Sequence, residues 1–411
     1  MGGFTARPGR AILKHYFNNA RNVLQRHIQP VLLARASALP VVTVTGPRQS
    51  GKTTLCRGTF PDKPYVNLER PDNREFARSD PKAFLAQWPE GAVLDEIQRV
   101  PALLSWIQAE VDEHPAPGRF ILTGSHQFDL GHHVSQSLAG RTALLRLLPL
   151  SISELKDAGA DTDIDTLIHA GGYPRIHADR LDPAAVLGDY FETYVQRDLR
   201  ELVAIRQVAQ FERFVRLVAG RVGQILNMQS LAGDVGVSGH TVREWISLLE
   251  TSYIVFRLPP WFANIGKRLI KSPKLYFHDT GLAAWLIGIT RRAHLSSHPL
   301  RGALFENLAV LEVLKAQHNA GLRPNLHFYR DSAGNEADLL LEEGNAIELV
   351  EIKSAQTIAG DAMRTALSIR RLLGDRVKAC ALVYGGAALQ VRSDFTARPV
   401  ATIRSWLQGE R

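Results

Sequence analysis

The sequence predicts an α/β protein whose first half holds a parallel sheet with helices on both faces, and three segments support this prediction. The β-branched run VVTVT (residues 41–45) leads directly into a glycine-rich turn and a helical segment. Two further apolar runs, within GAVLDEIQRV and RFILTGS, end in acidic or hydroxyl side chains. Strands that alternate with helical segments are typical of parallel sheets, because each parallel connection needs a crossover that covers a face of the sheet.

The composition is typical of a globular protein with several domains. Of the 411 residues, 45% are hydrophobic and 22% are charged. At about 150 residues per domain, this length predicts two to four domains. The two cysteines, Cys56 and Cys380, are too few for a thiolate cluster or a disulfide framework. No run approaches about 20 apolar residues, so we expect a soluble cytoplasmic protein with no membrane partner.

Basic charge is concentrated in two parts of the chain, whose formal net charge is +8. Residues 1–60 hold nine Lys or Arg and no acidic residue. Residues 251–278 also hold no acidic residue, and their cations are Arg257, Lys267, Arg268, Lys271 and Lys274. Such clustering is typical of proteins that bind a phosphate-rich partner, above all nucleic acid. An acidic partner, or a basic surface with no partner, is the alternative.

The segment GPRQSGKTT follows the first strand and is a full match to the phosphate-binding loop of nucleotide-hydrolysing proteins. Its glycines let backbone N–H groups surround phosphate oxygens, while Lys52 reaches the β- and γ-phosphates and the Thr53 hydroxyl ligates Mg²⁺. The predicted cofactors are therefore ATP and Mg²⁺. The predicted cofactor-binding residues are Gly46, Pro47, Arg48, Gln49, Ser50, Gly51, Lys52, Thr53 and Thr54.

Polar residues that follow the next strands complete this site in the prediction. Asp95 is expected to support Mg²⁺, and Glu96 to orient or deprotonate the attacking water. Ser125 is positioned like the polar residue that contacts the γ-phosphate or the water in AAA-type ATPases. Arg141 precedes a strand, where such ATPases often place an arginine finger that acts on the nucleotide of a neighbouring subunit, which would require a homo-oligomer. Its alternative role is to pair with the carbonyls at a helix end.

The middle of the chain predicts a helical lid followed by a helix-turn-helix with a wing strand at 254–258. In the second helix Ser238 is the expected N-cap, and the exposed start of that helix is the end that contacts DNA in DNA-binding versions. The alternative is a lid or a protein-contact module. The candidate DNA-contact residues are His240, Thr241, Arg243, Lys267, Arg268, Lys271 and Lys274.

Several motifs in combination resemble a prokaryotic family of AAA-type ATPases. They are LTGSHQF, SLAGR, LPLSISE, GGYP, YVQRDL, KSPKLYFHDTGL and LFEN, and the resemblance runs from about residue 27 to about residue 385. It implies an ATPase module fused to a C-terminal domain of unknown function with a restriction-endonuclease-like α/β core. The expected divisions are a basic N-terminal segment (1–30), an ATPase domain (31–155), a helical lid (156–205), a winged helix (206–285) and the nuclease-like domain (286–411).

Four residues of this last domain resemble a nuclease site. Glu351 and Lys353 stand two apart in an apolar run, so both side chains project to one face of a strand. The resemblance implies that Asp338 and Glu351 bind Mg²⁺ and that Lys353 orients the attacking water. It also makes Glu306, on a preceding helix, an accessory carboxylate or a hydrogen-bonding anchor. The alternative is a retained fold in which Glu351 and Lys353 form an ion pair at the sheet edge.

These inferences favour an AAA-type ATPase that binds DNA and couples ATP turnover to remodelling or assembly on it. Two alternatives stay open. The first is an ATP-gated, metal-dependent DNA nuclease, which requires the C-terminal carboxylates to cleave rather than hold DNA. The second is a nucleotide-switched signalling ATPase whose winged helix and C-terminal domain hold protein partners.

Overall fold

The computed structural model describes residues 23–125, 137–199, 207–261 and 271–409, without the side chains of residues 196–198. Most of the expected basic N-terminal segment lies outside the described residues, as do Lys267 and Arg268. None of the helices in these ranges combines the length and the apolarity that crossing a membrane demands.

A five-stranded parallel sheet forms the centre of the ATPase region, in the order β2–β3–β4–β1–β5. The strands are β1 (Val41–Thr45), β2 (Tyr65–Asn67), β3 (Ala92–Asp95), β4 (Phe120–Gly124) and β5 (Thr142–Arg146). Strand β1 pairs in parallel with both β4 and β5. Every residue of β1, β3 and β4 is buried, because helices cover both faces. The predicted parallel sheet is confirmed.

Helices pack on the two faces of this sheet. They are α1 (Gln29–Ala38), α2 (Lys52–Thr59), α3 (Pro71–Ser79), α4 (Pro81–Ala86) and α5 (Leu103–Glu113). Neighbouring residues of β1 point to opposite faces, so Val41 joins one apolar cluster and Val42 joins the other. Because β1, β3 and β4 run parallel, their carboxyl ends lie together at one edge of the sheet, where a site can form.

A group of short helices follows the sheet where the sequence predicts a helical lid. They are α6 (Ile152–Asp157), α7 (Ile164–Ala170), α8 (Pro174–Ala178), α9 (Pro183–Tyr190) and a π-helix (Phe191–Asp198). A capping box fixes the start of α6, because the Ser151 side chain accepts from the Glu154 backbone and the Glu154 carboxylate accepts from the Ser151 backbone.

Three helices and a two-stranded hairpin come next. They are α10 (Val208–Ala219), α11 (Met228–Val235), α12 (Gly239–Thr251), β6 (Val255–Leu258) and β7 (Lys274–Phe277). Ser238 caps α12 as expected, since its side chain accepts from the Thr241 backbone N–H at 3.0 Å. Gly236, with φ at +82°, ends α11 in the left-handed conformation that glycine favours. The helix pair and the hairpin therefore form, whereas their identification as a winged helix stays a prediction.

The C-terminal region contains a six-stranded mixed sheet in the order β12–β13–β11–β10–β9–β8. Its strands are β8 (Leu326–Arg330), β9 (Glu336–Glu343), β10 (Ala346–Lys353), β11 (Val377–Tyr384), β12 (Gln390–Val391) and β13 (Thr396–Pro399). Before this sheet, α13 (Thr280–Leu286) packs mainly on α7 and α9 of the lid, and the helices of the C-terminal region are α14 (Arg301–Asn319), α15 (Arg364–Leu373) and α16 (Ile403–Leu407). Its likeness to a restriction endonuclease stays a prediction.

Helix α14 joins the C-terminal region to the ATPase region. The Glu312 carboxylate accepts from the Ile152 backbone N–H at 2.8 Å, and the Lys315 ammonium donates to the Leu150 carbonyl at 2.8 Å. One apolar cluster runs from Leu148 to Ile403 through the lid, the three-helix group and α14. The lid, the three-helix group and part of the C-terminal region thus share a core, whereas the two faces of the ATPase sheet pack in clusters of their own.

Candidate active site

The glycine-rich loop between β1 and α2 closes on itself through Lys52. The Lys52 ammonium donates to the carbonyls of Gly46 at 3.0 Å and Pro47 at 2.8 Å. Position 46 requires glycine, because a Cβ there would lie 2.1 Å from the Leu147 carbonyl oxygen. Gly51 caps α2 with φ at +91°. The loop therefore has the strand-to-helix geometry that the predicted phosphate site needs.

Asp95 ends β3 and is bonded by three hydroxyl groups. Its carboxylate accepts from Thr53 at 2.9 Å, from Tyr65 at 2.6 Å and from Thr123. Asp95 is 4% exposed, so these bonds offset the cost of burying its charge. The Thr53 hydroxyl and the Asp95 carboxylate, the two groups predicted to hold Mg²⁺, thus face each other across the start of α2.

Glu96 follows in a left-handed conformation, with φ at +58°. Its backbone N–H donates to the Thr123 hydroxyl at 3.1 Å, while its carboxylate accepts from Ser125 at 2.6 Å and from Gln98. Burial raises the pKa of this carboxyl, but Lys52 and the two side-chain hydrogen bonds outweigh burial and lower it below its usual range. Glu96 is therefore held ionised, with one orientation fixed by Ser125.

The Lys52 ammonium is buried beside these acids. Burial lowers the pKa of Lys52 to about 8, although the negative charges of Glu96 and Asp95 act in the opposite direction. Its donors now bond to the loop carbonyls, which phosphate oxygens could replace as acceptors.

An open cleft of about 1080 Å³ lies over the loop, between α2 and the lid helix α8. Arg48, Gln49, Gly51, Lys52, Thr53, Thr54, Glu96 and Ser125 line it. The Ser50 hydroxyl is buried and has no hydrogen-bond partner among the described residues. A buried hydroxyl without a partner and a loop shaped by two glycines fit a phosphate ligand, as predicted for ATP with Mg²⁺.

Three further residues line this cleft, although no motif in the sequence indicates a role for them there. Arg26 donates to the Ser50 carbonyl at 2.7 Å, and Pro174 and Arg175 approach from α8. The GGYP motif that contains Pro174 contributed to the family resemblance but gave no role. Arg26 lies in a stretch rich in basic residues, where no spacing distinguishes it from its neighbours.

Arg141 pairs with Asp112 at the end of α5, with Nε 2.5 Å and Nη2 2.8 Å from the two carboxylate oxygens. Its third contact is the Ala139 carbonyl at 3.1 Å. These contacts hold Arg141 within its own chain, and its main partner is a carboxylate rather than the helix-end carbonyls of the alternative role. The finger role stays a prediction.

The three residues predicted to converge in the C-terminal domain do so. Lys353 Nζ lies 3.1 Å from Glu351 Oε2 and 3.6 Å from Asp338 Oδ2, beside a cavity of about 410 Å³. Burial and the neighbouring Asp338 charge raise the pKa of Glu351 to about 8. Within the described ranges, no group of three or more His, Cys, Asp or Glu side chains is placed to hold a metal ion.

The prediction that Lys274 contacts DNA is wrong. Lys274 is 3% exposed, and its ammonium lies 2.9 Å from Glu306 Oε1 and 2.5 Å from Glu336 Oε1. A buried side chain held by these partners cannot reach a phosphate backbone while the hairpin stays docked. Glu306 accepts from Lys274 and Tyr276 and does not line the cavity of the three converging residues, and its role as accessory carboxylate or anchor stays a prediction.

The other candidate DNA contacts have a mixed charge environment. His240 and Arg243 are exposed on the first turns of α12, with Thr241 half-buried between them. Glu244 lies 3.5 Å from His240 Nδ1, which places an acid in the middle of this surface. Lys271 is exposed just before β7. DNA contact by these residues stays a prediction.

Three models of known protein families match consecutive parts of the chain. The model described as an AAA domain matches residues 39–156, which hold the glycine-rich loop, Asp95, Glu96 and Ser125. Two models described as domains of unknown function, DUF8612 and DUF4143, match residues 161–293 and 301–403.

Two curated relatives match most of the chain. They are the uncharacterized proteins Rv2008c of Mycobacterium tuberculosis and Mb2031c of Mycobacterium bovis. Each is 36% identical over 333 residues, which cover 80% of this chain and 74% of the relative. Among solved structures, the Walker-type ATPase of Pyrococcus abyssi is 14% identical, with a TM-score of 0.43 over 65% of this chain and 96% of its own.

Proposed function

The chain belongs to the family of the two mycobacterial relatives and is a P-loop ATPase of the AAA type, and we propose that it binds DNA and couples ATP hydrolysis to remodelling or assembly on that DNA. The placement of the Glu96 carboxylate is the observation that best supports ATP hydrolysis. This carboxylate is ionised, accepts a hydrogen bond from Ser125 at 2.6 Å and is close to Lys52. This placement suits a group that accepts a proton from water beside the γ-phosphate.

The roles of the other residues follow from their contacts. Bound Mg²⁺–ATP supplies the phosphoanhydride to be cleaved and the metal charge that offsets its oxygens. Lys52 would exchange the Gly46 and Pro47 carbonyls for phosphate oxygens, and Thr53 and Asp95 would hold the metal. Glu96 would orient the water and take its proton while the bond to the leaving ADP breaks.

The DNA part of the proposal is supported by Arg243, which is exposed near the start of α12, and by the overall charge of +8. His240, Thr241 and Arg243 lie at the end of the helix that DNA-binding helix-turn-helix proteins direct at bases or phosphates. Lys271 lies exposed on the segment that enters β7 and is a second candidate cation for DNA contact. We also propose a cytoplasmic homo-oligomer, in which Arg141 leaves Asp112 to act on the nucleotide of a neighbouring subunit.

ATP turnover should depend on Glu96 in a specific way. Glu96→Gln keeps the hydrogen bond from Ser125 but removes the base, so we expect unchanged ATP binding and a kcat lowered by about 100-fold. Lys52→Ala should instead weaken ATP binding, measured by fluorescent-nucleotide titration. Wild-type turnover by the Glu96→Gln variant would contradict the proposed base.

DNA binding is tested by the ATPase rate with duplex, single-stranded and forked DNA. We expect stimulation by at least one of them and weaker binding by an Arg243→Ala/Lys271→Ala variant. For every phosphate group that the variant no longer binds, the log–log salt dependence of its affinity for duplex DNA should flatten by about 0.9. Arg323→Ala is the matched control, because Arg323 is exposed in the segment that follows α14. No binding or stimulation by any DNA would leave an ATPase with protein partners.

The finger role of Arg141 is tested by mixing subunits. Arg141→Ala and Lys52→Ala subunits are each inactive in the proposal, but a mixed oligomer contains interfaces where both groups are intact. We therefore expect partial recovery of turnover on mixing. Confirmed mixed oligomers without recovery would contradict a role for Arg141 across subunits.

A further inference from the structure

A buried ammonium lies among the carboxylates of the C-terminal domain and comes from outside that domain. Lys274, on the hairpin strand β7, contacts Glu306 of α14 at 2.9 Å and Glu336 of β9 at 2.5 Å. Asp338 is near enough to attract the same charge. We propose that Lys274 is the resident cation of this carboxylate cluster (the pair Glu306 and Glu336, with the charge of Asp338 nearby) and takes the place of a divalent metal ion there.

The oxygens of the cluster already have donors. Glu306 Oε1 accepts from the Tyr276 hydroxyl at 2.5 Å in addition to the Lys274 ammonium. The second oxygen of Glu336 accepts from Arg330 at 2.8 Å. A metal ion would have to displace these donors to bind the same oxygens, and the buried Lys274 and Tyr276 would then lose their partner.

The charge balance leads to the same assignment. Asp338 also lies 3.6 Å from the Lys353 ammonium, which bonds Glu351 at 3.1 Å. Lys274, Lys353 and Arg330 therefore offset most of the charge of the four neighbouring carboxylates. Adding a divalent ion to this set would leave excess positive charge beside the buried Lys274 ammonium, which is unfavourable.

Contacts that do not involve Lys274 hold β7 in place. The Asn307 side chain pairs with the Phe277 backbone as another strand would, accepting at 2.7 Å and donating at 2.9 Å. The Trp261 backbone N–H, in the segment after β6, donates to the Phe328 carbonyl of β8 at 2.7 Å. Removing the ammonium alone should therefore make the carboxylates accessible to a metal ion while the hairpin stays docked.

This assignment holds whether or not the chain binds DNA, and it sets a condition on the nuclease alternative. A metal ion that uses Glu306 or Glu336 could bind only after Lys274 withdraws. While β7 is docked on the C-terminal domain, Lys274 therefore occupies this cluster, and the cluster binds no metal ion.

The test is Mn²⁺ binding to the nucleotide-free full-length protein, with free Mn²⁺ followed by its electron paramagnetic resonance signal. Lys274→Met keeps the length of the side chain and removes the charge, so we expect one additional Mn²⁺ per chain and an affinity at least tenfold above wild type. Lys274→Arg, which keeps the charge, and Lys271→Met, an exposed lysine on the same segment, should behave as wild type. Lys274→Met/Glu306→Gln should lose the added ion.

Two results would overturn the proposal. One is a Lys274→Met variant that binds no more Mn²⁺ than wild type. The other is a wild-type protein that already binds an ion which Glu306→Gln removes. If Lys274→Met fails to fold in metal-free buffer, Mn²⁺ should restore its folding, since the uncompensated carboxylates would then have a cation. Failure of Mn²⁺ to restore folding also counts against the proposal.

Discussion

Arg26 joins the phosphate-binding loop to the lid through a single buried guanidinium. Its three nitrogens donate to the Ser50 carbonyl at 2.7 Å, the Leu148 carbonyl at 2.6 Å and the Glu154 carboxylate at 3.0 Å. Burial raises the pKa of Glu154, but Arg26 and backbone N–H groups more than offset it and lower the pKa below its usual range. The geometry of the loop therefore depends on a residue that precedes it by twenty-four positions.

Replacing Arg26 should affect both stability and catalysis. Arg26→Met leaves Glu154 as a buried charge without its main partner, so we expect the free energy of unfolding to fall by about 3 kcal/mol in urea titrations. Loss of the bond to Ser50 should lower kcat/KM for ATP by about tenfold. Arg35→Met, an exposed change on α1, is the control, and equal effects of the two changes would contradict this role.

Single residues also show how far the sequence could predict the site. The loop residues and Asp95, Glu96 and Ser125 could be found because their chemistry requires fixed spacings next to strands. Lys274 could not be distinguished from Lys271, since both stand in one acid-free stretch. Their difference arises from Glu306 and Glu336, which the fold brings from more than thirty positions away.

At the scale of elements, the end of β1 is joined to the turn that follows α12. The Tyr253 hydroxyl donates to Thr45 Oγ1 at 2.8 Å, one residue before Gly46. Thr45 Oγ1 in turn donates to the Leu145 carbonyl at 3.3 Å. On the other side of the loop, Arg48 lies 5.3 Å from the ring centre of Tyr194 in the π-helix. Both the lid and the helix-turn-helix region therefore contact the strand-and-loop segment that binds phosphate.

A double-mutant cycle tests the contact between Tyr253 and Thr45. Tyr253→Phe and Thr45→Val should each lower the free energy of unfolding by about 1 kcal/mol. The double variant should lose about 1 kcal/mol less than the sum, because both changes remove the same hydrogen bond. Additive losses in urea unfolding would show that the two side chains do not interact in solution.

Elements were more predictable from the sequence than their contacts. The β-branched run 41–45, the capped helix α12 and the strand with Glu351 and Lys353 follow from local periodicity and capping residues. The docking of the hairpin on α14 depends on the Asn307 amide, which pairs with the Phe277 backbone thirty positions away. A pairing between residues so far apart cannot be predicted from a local sequence pattern.

At the scale of the whole molecule, two buried histidines lie where the C-terminal region meets the ATPase region. Burial, the neighbouring His318 and the positive charges of Arg146 and Lys315 together lower the pKa of His278 to about 3. Burial and Arg146 likewise lower the pKa of His318 to about 3. Both side chains therefore stay neutral in the folded protein at pH values where an unfolded histidine is protonated.

These histidines should make the protein less stable in mild acid. Between about pH 6.5 and pH 3 these histidines are protonated in the unfolded chain but neutral in the folded protein. The free energy of unfolding therefore falls as the pH is lowered through that window. At pH 5 each histidine should account for about 2 kcal/mol of the loss relative to pH 7. His318→Gln should reduce the difference between unfolding free energies at pH 7 and pH 5 by that amount, whereas His294→Gln, at an exposed position, should not.

The bonds from α14 to the Ile152 N–H and the Leu150 carbonyl have a consequence for biosynthesis. Their partners Glu312 and Lys315 lie 160 and 165 positions later in the chain. At about 5–20 residues per second, a ribosome needs roughly 8–30 s to add that length. During this interval the nascent ATPase region exposes the surface that α14 later covers. The ATPase region thus leaves the ribosome well before the helix that completes its surface, and we expect chaperones to bind it during that interval.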